Sequence, residues 1–131
     1  MSTALSPAML GFVRERHLAT LTTLRADGSP HVVPVGFSYD ETAHVVRVIT
    51  FFPSQKALNA QRGCRAAVSQ VDGGRWITLE GVARLVTLES DPDEVRRAVE
   101  GYATRYREPK ERDNRVAIII AVDNVMGRVA D

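Results

Sequence analysis

Residues 45–59 read VVRVITFFPSQKALN, a β-branched run (Val45, Val46, Val48, Ile49, Thr50) that breaks at Pro53 and restarts at Ser54. Branched residues in a row favour a strand, and a serine ahead of a helix-forming segment is an N-cap. Lys56 then falls in the first helical turn, where backbone N–H groups lack partners and the macrodipole is positive. Such a turn can seat a phosphate. It is also the form of an ordinary capped helix with a solvated lysine, so the flanking segments decide between the two.

Upstream, Ser6 and Pro7 start a short helix whose apolar stripe (Leu10 and Val13, with Met9 and Phe12) ends near Arg16. Leu18–Leu24 is expected as a strand, turned by Asp27 and Gly28 into His31–Tyr39, and a second turn over Asp40–Ala43 leads to His44–Thr50. Downstream, Gly63 ends the Ser54 helix, Arg65–Val71 is a fourth strand, and Asp72, Gly73 and Gly74 turn the chain into a long strand, Trp76–Leu88. In that strand Ile77, Leu79, Ala83 and Leu85 share a face, and Gly81 marks a bulge or a close backbone approach. A strand this long tends to coil and close a barrel.

Asp91, Pro92 and Glu94 open a further helix with a capping-box pattern, followed at helical spacing by Val95, Ala98, Val99, Tyr102 and Tyr106. That spacing marks both tyrosines as packing residues. Arg107–Arg115, with charges of both signs, reads as a solvated connection, and Arg115–Val125, apolar on both faces, as a central or dimer-buried strand. The fold class is mostly β with a few short helices, in one domain spanning 1–131, because a second core would be hard to stabilise in the length left over.

A hydrophobic share of 44% and a charged share of 25% are those of a folded globule and exclude a disordered or fibrous chain. A net charge of +1 gives no reason to expect a nucleic-acid or membrane surface. No apolar run approaches the roughly 20 residues of a membrane span, and the amino terminus lacks a signal-peptide layout, so a cytoplasmic location is expected. Cys64 has no disulfide partner and reads as a small core residue.

His17, His31 and His44 are scattered without acidic or cysteine partners at ligand spacing, so no metal site is expected. No nucleophile elbow is present either. A bound cofactor is left to carry the chemistry. In the second strand Val32, Pro34, Gly36 and Ser38 are slighter than Val33, Val35, Phe37 and Tyr39. Pro34 and Gly36 would admit a flat ring, or equally serve as an edge-strand proline and a bulge glycine. Beside a phosphate seat at Ser54 and Lys56, a planar ring with a phosphate tail is the economical reading, and Trp76 could cover such a ring.

Arg16–Ala19 with Leu21–Phe37, then Ser54, Gln55, Lys56 and Asn59, then Ser69–Gly73 with Arg75 and Trp76, and finally Glu80 and Gly81 form an ordered set. In that set the chain resembles the flavin/deazaflavin oxidoreductases of the pyridoxamine 5′-phosphate oxidase-like (PNPOx-like) superfamily. Within it the likeness is nearest to the actinobacterial biliverdin reductases that use coenzyme F420, and it covers nearly the whole chain. The resemblance implies an FMN-binding-type split β-barrel, homodimeric, with two cofactor sites at the subunit interface. Ser54, Gln55 and Lys56 would hold the deazaflavin phosphate with Asn59 in support. Pro34, Val35 and Gly36, with Val48, Ile49 and Thr50, would flank the ring, and Arg75, Trp76 and Ile77 would come from the second subunit. Arg47 and Arg25 are candidates for the acidic oligoglutamate tail.

The implied activity is hydride transfer from reduced F420 to a small conjugated acceptor, biliverdin giving bilirubin, without a catalytic side chain. Arg75, or an arginine of Arg105–Arg115, would orient the acceptor through its propionates. FMN in place of F420 is the alternative cofactor, and a carrier that binds deazaflavin or tetrapyrrole without turnover is the alternative of a different class.

Overall fold

In a computed structural model, which describes residues 4–130, the chain runs α1 (Pro7–Arg14), β1 (Ala19–Leu24), β2 (Pro30–Val35), β3 (Ser38–Asp40), β4 (Val45–Phe51), α2 (Gln55–Arg62), β5 (Cys64–Asp72), β6 (Arg75–Thr87), α3 (Pro92–Arg105) and β7 (Arg115–Arg128). The strands form one antiparallel sheet in the order β2-β1-β5-β6-β7-β4-β3. It wraps around an interior to which every strand contributes, including Leu21, Val35, Val48, Val68, Leu79 and Ile118. This is the split β-barrel.

The expected elements are present with ends shifted by a few residues, and two local expectations change. The segment His31–Tyr39 is not one strand: it divides at Gly36 and Phe37 into β2 and β3. A Cβ on Gly36 would stand 2.9 Å from the Tyr106 ring and 3.0 Å from the Tyr102 ring, so the glycine makes room for two tyrosines. The capping box of α3 is half formed. Asp91 caps the Glu94 N–H, but the Glu94 carboxylate turns to Arg47 because a buried guanidinium is the stronger partner.

β7 is buried on both sides over Val116–Ile120 because it lies between β6 and β4, with the barrel interior on one face. On the other face Ala117 and Ile119 meet Val95 and Ala98 of α3. The central position expected for this strand is observed. Gly81 combines both roles proposed for it: the β6–β7 register shifts there, and a Cβ would overlap the Ala121 carbonyl oxygen. The bulged residue is Asp123, whose carboxylate pairs with Arg65. Cys64 is half-buried against the interior.

Candidate active site

The break at Pro53 delivers Ser54 as the N-cap of α2, its hydroxyl accepting from the Ala57 N–H at 3.3 Å and bonding the Thr50 hydroxyl at 3.0 Å. β4 is thereby tied to the start of α2, and Lys56 projects from the first turn into a cleft of about 580 Å³. That volume lies in the usual range for small-molecule sites. Pro34, Val35 and Gly36 line it from β2 and its end, Ile49, Thr50 and Phe51 from β4, Tyr102 from α3, and Arg107–Lys110, Arg112 and Arg115 from the α3–β7 connection and the start of β7.

Five of the chain's 17 cations therefore line one cleft, both of its lysines among them, against the single carboxylate of Glu108. Lys56 has no hydrogen bond or ion pair among the described residues, and burial pushes its ammonium below the usual lysine range. Burial, then the like charge of Arg112, lowers Arg115 in the same direction. The Arg115 guanidinium donates to the Lys110 carbonyl, and Arg112 stacks on Phe51 with its charge uncompensated. Burial, Arg25 and then Lys56 also hold His31 below the usual histidine range, and its Nδ1 is buried without a partner. A partly dry pocket that lowers both Lys56 and Arg115 and sets five cations against one carboxylate is short of negative charge. An anionic, partly flat ligand fits it.

Of the residues expected to touch a cofactor, Pro34, Val35, Gly36, Ile49, Thr50 and Lys56 are brought together here. Others lie elsewhere. The Val48 and Ile77 side chains point into the barrel core. Asn59 is fully buried, donating to the Thr23 hydroxyl at 3.0 Å and accepting from Gln55 at 2.8 Å, so it staples α2 to β1 rather than facing a ligand. Arg47 is no tail-binding candidate, because it is buried and bonded to Asp40 at 2.8 Å and Glu94 at 3.0 Å. Arg25 is spent on Ser29 and the Pro30 carbonyl.

Hydrogen bonds to Glu15 and then Asp72 raise the Arg75 pKa, its guanidinium stacks on Phe12, and neither it nor Trp76 lines the cleft of its own protomer. The Arg107–Arg115 segment, read first as a solvated connection and also as a source of an acceptor-orienting arginine, lines the cleft, and so does Tyr102, read as a packing residue. The basic run that follows α3 was the available signal for both.

Residues 5–128 match the sequence family described as pyridoxamine 5′-phosphate oxidase. The chain belongs to the pyridoxamine 5′-phosphate oxidase family. Among relatives of this pyridoxamine 5′-phosphate oxidase family member is a protein of Mycobacterium tuberculosis named F420H(2)-dependent biliverdin reductase, 53% identical over 126 residues, 96% of this chain and 90% of the relative. Its fold is similar to that of a conserved hypothetical protein from Mycobacterium tuberculosis, with a TM-score of 0.78, 25% identity and coverage of 96% of this chain and 86% of the other. A solved F420 reductase shares the fold with a TM-score of 0.69 at 21% identity, over 88% of this chain and 94% of that one. Among the described residues of this family member, no helix is long and apolar enough to cross a membrane, and no group of three metal-ligating side chains occurs.

Proposed function

We propose that this protein is an F420H2-dependent oxidoreductase that reduces biliverdin, or a closely similar conjugated acceptor, to bilirubin. The observation that carries the reading is the unpaired, half-buried Lys56 beside a flat wall of Pro34, Gly36 and Ile49, in a chain so similar to a relative of that name. When bound, reduced deazaflavin supplies a hydride. The residues hold and orient. Lys56 and the free N–H groups at the start of α2 take the phosphate, with Ser54 and Gln55 shaping that turn. Pro34, Val35, Gly36, Ile49 and Thr50 flank the ring, where orientation can remove several kcal/mol of barrier. Arg107, Lys110 and Arg112 attract carboxylates, those of the acceptor's propionates and of an oligoglutamate tail.

A homodimer completes the site in this proposal. Val32, Val71 and Val82 are 55%, 58% and 53% exposed. They share the outer face of β2-β1-β5-β6-β7 with Trp76, which is paired directly opposite Val71, and Met126. These apolar side chains, interspersed on the same face with Thr22, Ser69, Thr78 and Glu80, would form the association surface. It would carry Arg75 and Trp76 toward a partner's cleft.

Titration of the apo protein with F420 and FMN, then mixing of reduced F420 with an acceptor panel, tests the reading. Preferential F420 binding and its reoxidation by biliverdin are expected. FMN binding alone would replace the cofactor, and tight F420 binding without reoxidation by any acceptor would make the protein a carrier.

A further inference from the structure

Tyr102 and Tyr106 stand one turn apart at the end of α3 with ring centroids 4.9 Å apart, yet their hydroxyls differ. Tyr106 Oη donates to the His17 carbonyl at 2.7 Å and accepts from the Phe37 N–H at 3.3 Å, and Arg105 lies over its ring. Tyr106 is an anchor. Tyr102 stacks on that anchor and against Gly36, is half-buried, and borders the cleft, but its hydroxyl has no hydrogen-bond partner among the described residues. That hydroxyl is not shut away from solvent, so an acceptor atom of a ligand in the cleft can take its bond.

The other protic groups of the cleft are less suited to giving up a proton at a fixed place. Arginines do not release theirs. The Thr50 hydroxyl is engaged with Ser54. Lys56 serves the phosphate in the reading above, and Glu108 and Lys110 belong to a connection, whereas Tyr102 is held by a helix and a stacked ring. Arg115 lies within electrostatic reach of Tyr102, so a phenolate formed there has a cation to stabilise it.

We propose that Tyr102 is the catalytic proton donor of the reduction, an assignment that rests on the hydride-transfer reading of the site. The step balances as one hydride from the reduced deazaflavin to an acceptor carbon and one proton from Tyr102 Oη to the acceptor nitrogen that receives the displaced electron pair. The phenolate then regains a proton from water. Two electrons and two hydrogens are added to the acceptor.

Tyr102→Phe removes the hydroxyl and keeps the ring that packs on Gly36. The expected result is a kcat lowered on the order of 10²–10³-fold. The cofactor Kd from fluorescence titration and the Tm stay close to wild type, and small buffer acids partly restore the rate. A kcat within threefold of wild type, or an increase confined to the acceptor KM, would overturn the assignment while leaving the hydride-transfer reading intact. Failure of the wild-type protein to reoxidise reduced deazaflavin with any acceptor would overturn both.

Discussion

Lys56 couples stability against binding at one position. Its burial disfavours the ammonium and no carboxylate offsets this, so the charge is held at a cost that a bound anion relieves. Lys56→Ala is expected to weaken cofactor binding by about 1.5–3 kcal/mol, the range for hydrogen bonds to charged groups, read by titrating deazaflavin fluorescence. Because a lysine with a lowered folded pKa destabilises the fold while charged, Lys56→Met should raise the apo Tm at neutral pH even as it removes binding. Wild-type affinity should also decline as pH rises through the lowered lysine pKa, sooner than for an exposed lysine. Gly36 is constrained in a different way. Gly36→Ala pushes a methyl into the Tyr102 and Tyr106 rings, an overpacking expected to cost about 1–3 kcal/mol in urea denaturation.

α3 is held to the barrel by charge as well as by Val95 and Ala98. Arg47 of β4 donates to Asp40 of β3 and to Glu94 of α3, and this pairing holds both carboxyls below the usual carboxylate range, for Asp40 with the Ala43 N–H as the largest cause. A carboxylate with a lowered folded pKa contributes stability that is complete above its unfolded pKa of about 4 and is lost as pH falls through the folded value. Glu94→Gln should therefore cost on the order of 2 kcal/mol at pH 7, since part of a buried pair is broken, and should flatten the acid limb of a Tm-against-pH curve. The capping pattern of Asp91–Glu94 was legible in the sequence, but the carboxylate's actual partner is 47 residues away and carries no local signal.

The assembled barrel buries its inner apolar face and leaves Val32, Val71, Trp76, Val82 and Met126 exposed on the outer one. If two such faces meet, Val82→Arg should yield a monomer by light scattering, since an unpaired cation buried at an interface is strongly unfavourable. Cofactor affinity should fall with it, because Arg75 and Trp76 lie outside the cleft of their own protomer. Wild-type dimers with unchanged affinity in this variant would exclude the face as the interface.

Local chemistry in the chain determined the elements: the Ser6-Pro7, Ser54 and Asp91 starts, the Gly63 end, the β-branched strands, and the bulge at Gly81. The capped turn that carries Lys56 was equally legible, because capping and turn chemistry act over a few residues. Closure of the sheet decided the rest. It buried Val48, Ile77 and Asn59, diverted Arg47 into an ion pair, and set Tyr102 and the Arg107–Arg115 segment against Pro34 and Lys56. Those contacts join residues dozens of positions apart, and which side of a strand meets the cleft is set only when the barrel wraps around its interior.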